Sequence, residues 1–330
     1  MKKIINAPSA YVDDMLKGIY AAHPGKVKCA AGDLRCYCAA EKKPGKVAII
    51  TGGGTGHLPL FLGYVGEGLI DGCGVGGVFQ SPSPEQIYNI AREVEAGAGV
   101  LYLYGNYTGD IMTFDMAAEL CEMDDIPCKS IVGADDVNSH ADPATRRGVA
   151  GIYFMYKAAG ARADQGGDLD AVLAAAQLAK DNTRTVGFAL TPCVIPEVGR
   201  ANFELAEDEM AMGMGIHGEP GVWNGPLKPS RAIAEEALET LLGDMPVAEG
   251  EEVSLLINGL GATSVEELYI LSNDVTELLN ARGVKVYRTL VGEYATSMEM
   301  AGASISICKM NDELKCYMDH PVNTPFIYQK

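Results

Sequence analysis

Two histidines and one aspartate are the residues of this sequence whose types best suit proton transfer or nucleophilic chemistry. His217 lies in GMGIHGEPG, residues 213–221, where frequent glycines disfavour helix and strand and let the backbone approach another group closely. His57 closes TGGGTGH, and Asp110 ends NYTGD. Imidazole and carboxylate groups serve as general bases and nucleophiles, so the meeting of these three residues in one place would predict catalysis.

Each of these polar residues also has a structural interpretation. His57 can cap a turn, and Asp110 can be the N-cap of the helix that follows it. Ser81 can form a local hydrogen bond ahead of a helix, and His217 can be incidental to its loop. The choice between the two interpretations depends on whether the surrounding elements bring these residues together.

Strand-like and helix-like segments alternate in the first half of the chain. Residues 47–57 predict a buried strand that ends in a glycine-rich turn, and residues 75–97 predict a short strand followed by a helix whose capping box begins at Ser83. Residues 99–120 repeat the order of strand, polar turn and helix. Ligands gather outside the carboxyl ends of strands in open α/β sheets, so these three polar loops predict a binding site.

A second set of such elements follows after about residue 165. An alanine-rich helix at 168–182 leads into a new strand, and an acidic connection at 241–252 precedes further strands and a helix. The sequence therefore predicts an α/β protein with two α/β domains, each a mixed sheet flanked by helices. We place these domains at residues 1–183 and 184–330, which puts the His217 loop in the second.

The formal net charge of −18 argues against nucleic acid or an anionic membrane as a partner, because no basic stretch is available to neutralise phosphates. Asn6, Pro8 and two aspartates interrupt the first apolar stretch, which therefore does not have the pattern of a signal peptide. No apolar run approaches the length of a membrane span. We therefore expect a cytoplasmic protein that binds small molecules or other proteins.

The cysteine and glycine motifs do not predict a metal or a nucleotide in this chain. The nine cysteines are odd in number and lie mostly in apolar segments, which favours free thiols. GGGTGH lacks the Lys and Ser/Thr of a phosphate-binding P-loop. GCGVGG at 72–77 leads into VFQSPSP rather than into a helix, so it does not fit a dinucleotide-binding turn.

Six motifs in register, spread over most of the chain, resemble the substrate-binding subunit of the dihydroxyacetone (glycerone) kinase family. In chain order they are TGGGTGH, GVFQSPSPEQIY, GNYTGDIMTFDMAAEL, GMGIHGEPG, NGLGATSVEELYI and VGEYATSMEMAG. The resemblance implies a homodimeric phosphotransferase subunit that binds a small hydroxyketone and is active only with a partner subunit. It also implies that residues 1–183 form the substrate-binding domain.

The resemblance assigns roles to the candidate residues. It implies that His217 binds the ketone covalently as a hemiaminal, that Asp110 is the base for the terminal hydroxyl that attacks phosphorus, and that His57 hydrogen-bonds the substrate. Reversible addition of a neutral imidazole would select carbonyl compounds over polyols. The positions that match ligand-contacting residues of the family are Gly53, Gly54, Ser81 and Gly105.

Three positions depart from the family pattern. Leu58 stands where glutamate is usual, Gly105 where lysine is frequent, and Glu293 where asparagine is common. The first two replacements would make the site less polar or roomier. They lead to the hypothesis of a substrate larger than dihydroxyacetone, such as the four-carbon hydroxyketone erythrulose, while dihydroxyacetone itself stays open. The sequence gives no consequence for Glu293.

The family resemblance also bears on partners. Single-chain kinases of this family carry an additional helical nucleotide-binding domain, whereas this sequence stops at Lys330. The resemblance therefore implies a separate helical subunit that bears ADP or ATP with Mg²⁺ and that a phosphocarrier protein can serve. Both ATP and phosphoenolpyruvate stay open as the phosphate donor. The alternative is a hydroxyketone-sensing regulatory protein without turnover; Asp110 argues against it, since binding alone needs no base.

Overall fold

Two six-stranded mixed sheets, each flanked by helices, form the framework of the protein in this computed structural model, which describes residues 2–330. This arrangement confirms the predicted α/β class with two α/β domains. The boundary placed between residues 183 and 184 stays a prediction. The second sheet takes its first strand from the segment that begins at Thr183.

The first sheet contains a parallel core with an antiparallel edge. Its strands are β1 (Val27–Cys29), β2 (Cys36–Ala39), β3 (Ala48–Thr55), β4 (Gly72–Val78), β5 (Val100–Gly105) and β6 (Cys128–Gly133). They lie in the order β1-β2-β4-β3-β5-β6. The pairs β3/β4, β3/β5 and β5/β6 are parallel, while β1/β2 and β2/β4 are antiparallel. The carboxyl ends of β4, β3 and β5 therefore meet at one edge.

The second sheet is mostly antiparallel. Its strands are β7 (Thr183–Ala189), β8 (Glu209–Met212), β9 (Trp223–Pro226), β10 (Glu252–Gly259), β11 (Lys285–Glu293) and β12 (Gly302–Lys309). They lie in the order β11-β10-β12-β7-β8-β9, and only β10/β11 is parallel among these pairs. The loop 213–221 connects β8 to β9, so this sheet carries His217.

The helices cover the sheets and join their strands. They are α1 (Tyr11–Ala22), α2 (Pro84–Val94), α3 (Thr108–Met123), α4 (Ile152–Asp164), α5 (Leu169–Asp181), α6 (Ser230–Asp244), α7 (Val265–Ala281) and α8 (Asp312–Asp319). The capping box predicted at Ser83 is confirmed: its hydroxyl accepts from the Gln86 amide, and the Gln86 side chain accepts from the Ser83 amide. Helix α4 is buried on nearly every side, as its apolar sequence requires.

The glycine-rich motifs lie within strands, which differs from the predicted turn after residue 51. Gly52 and Gly53 still pair with β4, and the chain leaves the ladder only at Thr55. GCGVGG forms most of β4 itself. A Cβ on Gly74 would lie 2.4 Å from Cδ1 of Ile87, so this glycine makes room for helix α2 rather than for a ligand.

The segment after β12 returns to the first half of the molecule. Tyr317 and Met318 of α8, together with Val322, belong to the same buried cluster as Leu101 and Leu103 of β5. The short strands β13 (Val322–Asn323) and β14 (Tyr328–Gln329) form a hairpin in this segment. The two halves of the chain therefore share one of the buried clusters, while each half also has a cluster of its own.

Helix α4 contains a glycine whose replacement tests this packing. A Cβ on Gly160 would lie 2.5 Å from the carbonyl oxygen of Gly68 and 2.6 Å from that of Leu69, and backbone atoms cannot rotate away. We expect Gly160→Ala to lower the free energy of unfolding by about 1–3 kcal/mol, measured by chemical denaturation.

Gly18 of helix α1 provides the matched control, because a Cβ there meets no atom within 4 Å. Gly18→Ala should raise the free energy of unfolding by about 0.5–1 kcal/mol through helix propensity. Equal stability of the two variants would contradict the packing assigned to Gly160.

Candidate active site

Four loops converge at the carboxyl edge of the first sheet. His57 follows β3, the segment 79–81 follows β4, and Asp110 lies just after β5. The fourth loop, 213–221, reaches this edge from the second sheet and brings His217 with it. The structure thus brings together the two histidines and the loops of the first sheet, as the pattern of strand ends predicts.

His217 is surrounded by three other rings. Its ring centroid lies 4.7 Å from that of His57, 5.1 Å from that of Phe79 and 5.0 Å from that of Tyr107, each in an edge-to-face arrangement. Phe79 also stacks on His57 with a centroid distance of 4.9 Å. These contacts hold both imidazoles in fixed planes, which a catalytic group requires.

Glu219 determines which nitrogen of His217 carries the proton. Its Oε1 lies 2.7 Å from Nδ1 of His217, and its Oε2 accepts from the backbone amide of His217. Burial alone would raise the pKa of Glu219, but the hydrogen bond and charge of His217, together with the charge of Arg147, lower it to about 2. An ionised carboxylate can only accept, so Nδ1 donates, and in the neutral ring Nε2 of His217 is the nitrogen that keeps its lone pair.

His57 has the same tautomer for a different reason. Its Nδ1 lies 2.7 Å from the carbonyl oxygen of Thr296, and because a carbonyl only accepts, Nδ1 donates. Complete burial, followed by the nearby His217, lowers the pKa of His57 to about 3. Among residues 2–330, Nε2 of His57 has no hydrogen-bond partner. The ring therefore offers one buried, neutral acceptor.

Asp110 lies in the first turn of α3, whose N-cap is Tyr107, so the interpretation of Asp110 as an N-cap is wrong. Burial raises its pKa to about 6, although the side chain of Ser81 and the nearby His217 oppose the shift. Its Oδ1 is buried and has no hydrogen-bond partner within the described part of the chain. A carboxylate of this kind can accept a proton near neutral pH.

The three glycines predicted to contact a ligand lie at this edge and make room for protein atoms. A Cβ would lie 2.2 Å from the Phe61 ring at Gly53, 2.6 Å from the Gln80 amide nitrogen at Gly54, and 3.0 Å from the Tyr107 ring at Gly105. Ser81 approaches Gly109, where a Cβ would lie 2.7 Å from its Oγ. The ligand-binding roles of Gly53, Gly54, Ser81 and Gly105 stay predictions.

The structure shows the environment of each residue that departs from the family pattern. Leu58 lines a cavity of about 410 Å³ together with Tyr11 and Met298. The ring of Tyr107 already lies beside Gly105. The Glu293 carboxylate lies against Gly259, where a Cβ would be 2.5 Å from its Oε1, and burial raises the pKa of Glu293.

Sequence reasoning missed four residues of the site. Glu219 could have been identified from the sequence, because it lies two positions after His217 in the same loop. Phe79 and Tyr107 lie inside motifs that the sequence analysis had already noted. Thr296 gave no signal, since it is 239 residues from His57 and bonds to that residue through its backbone carbonyl and amide. Contacts of that kind depend on the tertiary fold and not on side-chain type.

All nine cysteines are free. Between Lys2 and Lys330, no group of three or more His, Cys, Asp or Glu side chains is arranged to hold a metal ion. None of the helices in that range is long and apolar enough to cross a membrane.

The sequence matches the Dak1 domain over residues 17–326. It is 43% identical over 327 residues to the PTS-dependent dihydroxyacetone kinase 2, dihydroxyacetone-binding subunit DhaK of Listeria innocua, with 99% of each chain covered. It is 38% identical to the D-erythrulose kinase of Mycolicibacterium smegmatis, covering 98% of this chain and 56% of that protein. The solved structure of the dihydroxyacetone kinase operon co-activator Dha-DhaQ superimposes with a TM-score of 0.90 at 32% identity, covering 96% of this chain and 98% of that one.

The environment of His57 leads to a spectroscopic prediction. We expect its ring to stay neutral, with the proton on Nδ1, from about pH 8 to about pH 5, because burial lowers its pKa to about 3. Nitrogen-15 NMR of the histidine rings measures this directly, and His57→Asn assigns the signal. Detection of a doubly protonated ring in that range would contradict the burial of His57.

Proposed function

The chain belongs to the Dak1 domain family, and from this premise we propose that it is the hydroxyketone-binding subunit of a kinase. It captures a small hydroxyketone through His217 and presents the terminal hydroxyl for phosphorylation by a separate subunit. The observation that carries the proposal is the hydrogen bond between Nδ1 of His217 and Glu219, which leaves Nε2 as the nitrogen that can react in the neutral ring.

Capture is an addition without a leaving group. The lone pair on Nε2 of His217 forms a bond to the carbonyl carbon, and the π electrons of the carbonyl move to its oxygen. That oxygen takes a proton from solvent, and Nδ1 of the imidazole releases one to solvent by way of Glu219, so atoms and charge balance. Glu219, ionised and hydrogen-bonded to Nδ1, is placed to take that proton. Loss of either carboxylate or imidazole would therefore stop capture.

His57 supports the captured substrate as a hydrogen-bond acceptor. Its Nε2 is buried and neutral and has no partner among residues 2–330, which is costly unless a ligand fills the position. A hydroxyl of the substrate can donate to it. A compound without that hydroxyl would leave Nε2 unpaired, so this contact would favour hydroxyketones over simple ketones.

Asp110 acts as the base in phosphoryl transfer. Burial places its pKa at about 6, close to the pH at which a base transfers protons efficiently. It accepts the proton of the terminal hydroxyl as that oxygen attacks phosphorus. The nucleotide, ADP or ATP with Mg²⁺, lies on a separate helical subunit, possibly served by a phosphocarrier protein, and the hydroxyketone subunit acts as a cytoplasmic homodimer.

The substrate is dihydroxyacetone or a larger hydroxyketone such as erythrulose. The relatives similar to this chain include a dihydroxyacetone-binding subunit and a D-erythrulose kinase. The chain spans 56% of the latter's length. The Tyr107 ring beside Gly105 limits the space gained there, so the departures alone do not favour the larger ketone.

A hydroxyketone-sensing regulatory protein is the second candidate, because the chain also resembles a protein described as an operon co-activator. A sensor would use the His217 site for binding alone. Asp110 favours the kinase, because binding alone needs no base and the buried Oδ1 of Asp110 has no partner within residues 2–330.

The test of the proposal follows the ketone carbon during binding. With carbonyl-¹³C dihydroxyacetone or erythrulose, we expect the ketone signal to be replaced by a tetrahedral carbon, because Nε2 of His217 adds to it. The loss should vanish in His217→Ala, and the more strongly captured ketone is the preferred substrate. An unchanged ketone signal with both compounds would refute covalent capture by His217.

Asp110→Asn separates capture from turnover. We expect it to keep ketone capture but to reduce kcat about 10²- to 10⁴-fold, measured with the nucleotide-bearing subunit from the chain's own genome. In the wild-type protein, kcat should fall as the pH drops through about 6, because the carboxylate then takes a proton and can no longer act as the base. A variant that keeps full turnover would favour another base.

A further inference from the structure

A partly buried arginine lies behind the His217 loop and takes no part in the chemistry proposed above. The side chain of Arg147 is 14% exposed, and that of Asp136 next to it is 3% exposed. Nε of Arg147 donates to Oδ2 of Asp136 at 2.9 Å, and Nη2 lies 2.8 Å from the same oxygen. Arg147 is thus fixed from the first sheet's side, where Asp136 follows β6.

The same guanidinium reaches the loop that carries His217. Nη2 donates to the carbonyl oxygen of Gly213 at 3.1 Å, and Nη1 lies 3.6 Å from Oε2 of Glu219. A planar guanidinium can serve several acceptors at fixed angles, which an ammonium cannot do. Arg147 therefore joins buried Asp136 in one half of the chain to the glycine-rich 213–221 loop in the other.

The loop is shaped to admit this contact. A Cβ on Gly215 would lie 2.1 Å from Oε2 of Glu219 and 2.5 Å from Nη1 of Arg147. Any side chain at this position would force the two charged groups apart. The glycine at 215 therefore has a specific function: it lets the carboxylate and the guanidinium face each other directly beneath His217.

We propose that Arg147 is a positioning residue, which fixes the Glu219 carboxylate and, through it, the tautomer and ring plane of His217. Arg147 touches neither His217 nor the reacting atoms. Its effect on catalysis rests on the proposed function, whereas its effect on the His217 ring does not. The chain Asp136, Arg147, Glu219 and His217 forms one continuous set of ion pairs and hydrogen bonds.

Glu219 needs Arg147 because its two hydrogen bonds to His217 depend on its charge and its rotation. One oxygen accepts from the His217 amide and the other from Nδ1 of the same residue, and both bonds require an ionised, correctly rotated carboxylate. Arg147 stabilises the ionised form and restrains the rotation. Without this restraint the carboxylate can turn, and the proton of His217 can then reside on Nε2, which removes the lone pair needed for addition.

The neighbouring residue offers a matched control. Arg146 is also buried and forms a bidentate ion pair with an aspartate. Its Nη2 and Nη1 lie 2.6 Å and 2.8 Å from the two carboxylate oxygens of Asp244. Asp244 lies at the end of α6, away from the His217 loop. The same substitution at 146 therefore perturbs a comparable ion pair without touching Glu219.

The experiment compares Arg147→Lys with Arg146→Lys. Lysine keeps the positive charge beside the aspartate, but one ammonium cannot reach Asp136 and Glu219 together. In ¹⁵N NMR of the ligand-free protein, we expect Arg147→Lys to shift the His217 ring signals toward the tautomer protonated at Nε2, while Arg146→Lys leaves them unchanged. Capture of carbonyl-¹³C dihydroxyacetone should weaken about tenfold in Arg147→Lys only.

The outcomes test the positioning role of Arg147 and the proposed function separately. Identical ring signals in wild-type protein and Arg147→Lys, or equal shifts in both lysine variants, would overturn the positioning role. Failure of the wild-type protein to capture either ketone would refute the proposed function, yet the ring signals would still test Arg147. Glu219→Gln serves as a second variant: it should give the same tautomer shift as Arg147→Lys, and an unchanged ring would also refute the proposal.

Discussion

The two hydrogen bonds between Glu219 and its neighbour His217 are the interaction on which the rest of the site depends. They occur within one loop of the second sheet, yet they set the protonation and direction of a ring that lies among groups of the first sheet. A carboxylate can bond to both the amide and the ring of a residue two positions earlier only if the intervening chain turns tightly. The glycines around them make that turn possible, so the unusual composition of the loop follows from one geometric requirement.

The two histidines have the same tautomer but different partners, and this difference divides their functions. His57 donates to a neutral carbonyl in a fully buried position, which keeps the ring uncharged and leaves an acceptor. His217 donates to an ionised carboxylate, which makes its free nitrogen the more electron-rich of the two. The two imidazoles can lie 4.7 Å apart without repulsion between two positive charges, because the buried His57 ring stays neutral.

Much of the fold could be predicted from the sequence, because its local signals agree with the tertiary arrangement. The capping box at Ser83 and the strand, loop and helix around Asp110 are signals of this kind. The glycine turn was misplaced, since small residues in β3 and β4 make room for Ile87 and so continue the strands. Within the site, the types of His57, Asp110 and His217 were informative. Thr296 bonds to His57 through backbone groups, and this contact depends on the way the second sheet docks. The sequence alone could not distinguish Arg147 and Asp136 from exposed charged residues, because their burial arises only in the folded chain.

The return of the last helix and hairpin to the first sheet has a consequence for the order of events during synthesis. Thr324 donates its hydroxyl to the carbonyl of Gly63, and the backbone near Asn323 closes over Gly66. Residues that complete the core of the first half are thus synthesised only after all six strands of the second sheet. The nascent first half therefore keeps part of its apolar surface exposed until this segment has been synthesised.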